Sequence, residues 1–72
     1  MATETDRDPM FHTRKMRQHL NDMIEHMRAD IEMVDDPQFK AMFETSVEVL
    51  VGLGKAFSDY EQKKEAAWQK SA

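Results

Sequence analysis

The stretch Ile31-Glu32-Met33-Val34-Asp35-Asp36-Pro37-Gln38-Phe39 decides the fold. Apolar residues at Ile31 and Val34 close one periodic pattern, and Phe39 opens another. Asp36-Pro37 sits between them. Aspartate before proline reads as a helix start: the carboxylate accepts from an orphan backbone N–H, and proline fills a first-turn position where an N–H would have no partner. Only Asp35 and Asp36 separate the two patterns, so two helices joined here must fold back antiparallel.

The same start occurs upstream at Asp8-Pro9, and the 26 residues between Pro9 and Asp36 contain neither Gly nor Pro. Within them Leu20, Ile24, Met27, Ile31 and Val34 recur at steps of 4, 3, 4 and 3. That is a heptad seam, not the alternation of a strand. Met16 and Met23 widen it on one flank. Arg17 falls on the seam near its open end, where the apolar pattern is expected to weaken or fray. Residues 1–7 carry no pattern and read as a disordered tail; residues 8–72 read as one domain.

Downstream, Phe39, Phe43, Ser46, Leu50, Leu53, Phe57 and Tyr60 form a second stripe. Met42, Val49 and Ala56 widen it on one side and Val47 on the other. From Val47 to Leu53 the helix is apolar nearly all round, and a strand there would have nothing to pair with. Gly52 and Gly54 each cost about 1 kcal/mol against Ala inside a helix, and Ser58-Asp59-Tyr60-Glu61 matches a capping box. A three-helix chain broken near 52–57 is therefore the competing reading. Leu50, Leu53 and Phe57 stay in phase across the glycines, which favours one helix. The fold expected is all-α: an antiparallel hairpin with helices over about 8–34 and 37–70.

A hairpin of this size has one seam and no enclosed interior. Chains of about 70–80 residues or fewer normally need a further staple, and this chain of 72 has no Cys to supply one. Its apolar surface exceeds what one seam uses. The economical arrangement is a homodimeric four-helix bundle, with Met23, Val47, Leu50, Val51 and Phe57 expected at the interface. Charge suggests how copies would lie. Residues 30–48 hold six acids (Asp30, Glu32, Asp35, Asp36, Glu44, Glu48) against Lys40 alone. Residues 12–28 carry a net +2 and residues 55–70 a net +1. Two bipolar hairpins are expected to pair with the acidic turn of one against the basic open end of the other.

Several chemistries are excluded by their missing residues. No thiolate metal site or Cys nucleophile is possible. Glu-x-x-His, His-Glu-x-x-His and EF-hand patterns are missing, and Gly52-Leu53-Gly54 is too short for a phosphate cradle. Ser46 has no local base and reads as a seam residue bonded to its own helix. Glu44 and Glu48 suit the positive end of the second helix. The net charge of −4 argues against general nucleic-acid binding. The basic cluster His12, Arg14, Lys15 and Arg17 lacks interleaved aromatic rings. The longest apolar run, Val49-Leu50-Val51, is far below the roughly 20 residues that cross a bilayer, and the polar, acidic N-terminus is unlike a signal peptide.

One constellation keeps a chemical alternative open. His12, His19 and His26 recur every 7 residues, with Met16 and Met23 between them. Imidazole with thioether suits copper. Residues seven apart are separated by about 10.5 Å along a helix, so a site would need His19, Met23 and His26 to act across a dimer interface. The primary expectation is a small non-enzymatic interaction protein of the cytoplasm: an adaptor, regulatory or structural bundle without a cofactor. Its partner would be itself or another protein. A metal-binding or metal-sensing bundle is the alternative. Trp68 is expected to close the open end.

Overall fold

The computed structural model describes residues 3–62. They form two long helices, α1 (Pro9–Met33) and α2 (Pro37–Gln62), packed against each other as a hairpin, with a short 3₁₀ turn (Thr5–Arg7) before α1. The expected reach of the second helix to residue 70, and the role given to Trp68, lie outside the described residues.

Both helix starts use the same local chemistry. The Asp8 carboxylate accepts from the Met10 N–H at 3.0 Å, and the Asp36 carboxylate accepts from the Gln38 N–H at 3.0 Å. Each proline follows its capping aspartate at the first helical position. Val34 leaves the helical region at φ −115°, ψ 129°. Because a residue before proline is pushed out of the α region, Asp36 also cannot continue α1. Three residues, Val34 to Asp36, make the whole reversal.

Polar contacts organise the described part of the N-terminal segment, residues 3–7. The Thr3 N–H donates to the Asp6 carboxylate at 3.0 Å, and the Asp6 N–H donates to the Thr3 hydroxyl at 3.2 Å. This reciprocal pair closes the turn, and it draws the Asp6 carboxyl below its usual pKa range, chiefly through the Thr3 backbone N–H. His12 Nε2 then donates to the Asp6 carbonyl at 2.6 Å, tying the turn to α1. Hydrophobic periodicity cannot register such a turn, because polar contacts make it.

α2 is unbroken through both glycines. The capping box that would have started a third helix does not form. Glu61 turns instead to Arg17 on α1, while Ser58 accepts from the Gln62 side chain at 3.2 Å. Lys55 and Asp59 add an i,i+4 ion pair at 2.9 Å.

The seam between the helices centres on Ile24 and Val47, each only 7% exposed. On α1 the seam is the expected one. On α2 it is rotated from the expected stripe. Val47 occupies its middle instead of a flank, Leu50 and Phe57 are half-buried along it, and Leu53 stands largely outside. The facing positions are Phe43, Val47, Leu50, Gly54, Phe57 and Glu61, again at steps of 4, 3, 4, 3 and 4. Phe39 and Phe43 stack at 4.1 Å between centroids near the turn.

Candidate interaction surface

The seam divides the hairpin into two broad faces. On one, Met23 and Met27 of α1 line a shallow groove with Thr45, Ser46 and Val49 of α2, floored by Leu50. Met16 lies one heptad before Met23, and Met42 one heptad before Val49. Leu53 lies one turn beyond Val49, so helical spacing sets all three on the same side. Met16, Met23, Met42, Val49 and Leu53 are all exposed. Ser46, the polar member of the groove, donates to the Met42 carbonyl at 2.9 Å and so presents its hydroxyl inward to its own helix. The result is an apolar groove with further exposed thioethers and branched side chains in line with it, a type of surface that adapts to an opposing helix.

The other face is built from charges. One groove there runs between Arg28 and Glu32 of α1 and Glu44 and Glu48 of α2. A second holds Arg17 and Asn21 against Val51, Gly54 and Lys55.

At the open end Arg17 grips Glu61 with two hydrogen bonds, 2.9 Å from Nε and 2.7 Å from Nη2. Arg14 stands at 4.0 Å from the same carboxylate. The Glu61 side chain is 8% exposed. The Arg17 hydrogen bonds hold its carboxyl below the usual range, against the upward push of burial, and Glu61 raises the guanidinium in return. A planar, bidentate pair of this kind fixes geometry as well as charge. The seam position expected to fray is therefore clamped.

The residues expected at an oligomer interface do not share one surface. Val47 is enclosed in the hairpin's own seam, and Leu50 and Phe57 lie half-buried along it. Met23 lies on the methionine face and Val51 on the charged one. Met16, Met42, Val49 and Leu53 are exposed on the methionine face and stood outside the expected set. The signal that finds Met42, Val49 and Leu53 is a second 4-3 spacing along α2, one residue out of step with the seam, and Met16 lies one heptad before Met23 on α1.

The histidine line runs along the outer side of α1. His19 and His26 are exposed, and His26 Nε2 lies 3.4 Å from the Asp30 carboxylate. Among the described residues no three His, Asp or Glu side chains are grouped to hold a metal ion. Two members of the basic cluster are engaged within the chain, Arg17 by the Glu61 carboxylate and His12 by the Asp6 carbonyl. Arg14 and Lys15 line a shallow polar hollow with Asp8 and Phe11. No helix of the described residues is long and apolar enough to cross a membrane. Comparison with protein-family models, with curated proteins and with solved structures finds no match to this chain.

Proposed function

We propose that this chain is a small, non-enzymatic helical interaction protein that works through its methionine face. Its basic assembly is a homodimer, two hairpins forming a four-helix bundle. The observation that carries this reading is the exposed strip of Met16, Met23, Met42, Val49 and Leu53 beside a groove already floored by Leu50. Apolar surface held in water forgoes roughly 25 cal/mol per Å² of burial. The hairpin alone buries only Ile24 and Val47 among the described residues, so a covered methionine face would supply the core that the single chain lacks. Adaptor, regulatory and structural roles all operate through such a surface.

Sedimentation equilibrium at micromolar concentration tests the proposal. A helical species at twice the chain mass of 8.4 kDa is expected. A fully helical, stable species of 8.4 kDa with no companion would overturn it.

A further inference from the structure

The self-association proposed above leaves open how two copies lie. We infer that the second copy sits on the methionine face head to tail, related by a twofold axis that crosses the helices level with Met23 and Val51.

The first argument is the pattern on α2. Beside the seam that faces α1, the helix carries a second one: Met42, Ser46, Val49, Leu53, Ala56 and Tyr60, at steps of 4, 3, 4, 3 and 4. The two seams are one residue out of step, hence about 100° apart around the helix. A helix with two adjacent heptad seams is built for two neighbouring helices, the requirement of a four-helix bundle. α1 is one neighbour.

That second pattern reads the same in both directions. An antiparallel copy of α2 centred level with Val51 therefore matches it throughout. Val49 meets the partner's Leu53. Ser46 meets the partner's Ala56, two small residues where the backbones can close. Met42 meets the partner's Tyr60.

The second argument is the register within the hairpin. Met23 and Met27 share a groove with Ser46 and Val49, and Asn21 and Ile24 share one with Val51 and Gly54. Met23 is thus nearly level with Val51. An axis placed to suit α2 also passes Met23, setting it against the partner's Met23 and bringing α1 onto the partner's α1. One axis satisfies both helices.

The third argument is charge. Identical hairpins can meet face to face in only two symmetric ways. A lengthwise axis sets turn on turn and α1 on the partner's α2, which crowds both copies of Asp35, Asp36, Glu44 and Glu48 at one end. The crosswise axis separates those ends. Rim charges of this kind select orientation more than they add affinity.

The chain has no Cys, so single substitutions give clean cross-links in the full-length protein. Oxidation of Met23→Cys alone is expected to yield about tenfold more covalent dimer than an equimolar mixture of Met23→Cys and Leu53→Cys yields of the mixed species, since tethering follows local concentration. The reverse ratio would establish the turn-on-turn arrangement, overturning the orientation while leaving self-association intact. A wild-type dimer in which neither experiment cross-links would show that the methionine face is not the interface, and the inference falls. A monomeric wild-type chain would remove the underlying reading together with it. Circular dichroism of the reduced variants verifies that each keeps the wild-type helical content.

Discussion

Val49 and Val51 are the same residue two positions apart on one helix, 58% and 49% exposed respectively. Their surroundings differ. Both grooves reach Leu50, but Val49 shares its groove with Met23, Met27, Thr45 and Ser46, whereas Val51 shares its own with Ile24 and with Arg17, Asn21 and Lys55. Exposure of a single apolar side chain is ordinary; contiguity with other apolar side chains is what marks a working surface. The two faces flank the same seam and share its geometry, so the difference between them is chemical. One carries mainly thioether and branched apolar groups, the other charged groups, of which Arg17 and Lys55 already have carboxylate partners within the chain.

The contrast depends on the seam, and the largest expected effect lies there. Val47→Asp would place a carboxylate at the most enclosed point of α2, at a cost on the order of 3 kcal/mol or more. For a hairpin with so small a core, loss of the helical circular dichroism signal at room temperature is the expected result. Retention of the signal would mean that the seam is not what holds the helices together.

The next substitution compares the faces directly. Val49→Asp should weaken self-association by more than about 30-fold, the equivalent of roughly 2 kcal/mol. Val51→Asp should change it by less than about threefold. Sedimentation of the two variants side by side reads the difference, and equal effects would erase the distinction between the faces.

The open-end clamp gives a smaller effect with a defined pH dependence. A carboxyl held below its ordinary pKa contributes stability above that ordinary value, 4.5 for glutamate, and loses it as pH falls through the lowered value. Glu61→Gln should therefore melt at a lower temperature than the wild type at pH 7. The gap should close progressively as the solution is made more acid than pH 4.5. A gap that persists unchanged at pH 2 would assign the effect to packing instead of charge.

The smallest effect concerns the glycines. A Cβ added at Gly52 would meet no atom within 4 Å, and the position is helical. Gly52→Ala should raise stability by about 1 kcal/mol, seen as a melting-temperature increase of a few degrees. The residue lies off the methionine face, so dimerisation should not weaken. Weakened dimerisation would show that a partner helix approaches at Gly52, and the assigned face would have to be moved.

Much of the architecture was legible in the residues alone. Asp8-Pro9 and Asp36-Pro37 announce both helix starts because capping is a contact between neighbours in the chain. Leu20, Ile24, Met27, Ile31 and Val34 announce the buried side of α1 because only one side of that helix is apolar. The buried side of α2 was not legible in the same way. With Val47, Val49, Leu50, Val51 and Leu53 spread around the helix, periodicity admits several rotations, and the expected stripe carries Ser46 and Leu53 where the seam carries Val47 and Gly54. The candidate surface was correspondingly half visible. Met23 was identifiable and Met42 and Val49 stood on a flank of the stripe, but Leu53 was not distinguishable from the core.

Local capping and the single apolar side of α1 were determined by sequence, since each depends on residues within a turn or two of one another. The rotation of α2 was decided only in the tertiary structure. Val47 is buried in the seam as Ile24 is on α1, and Arg17 reaches across 44 positions of sequence to clamp Glu61. Once those contacts fix the angle of α2, the apolar residues left over fall together on one face. Their assignment depends on that angle because a helix with excess hydrophobic surface has no inside until a neighbour gives it one.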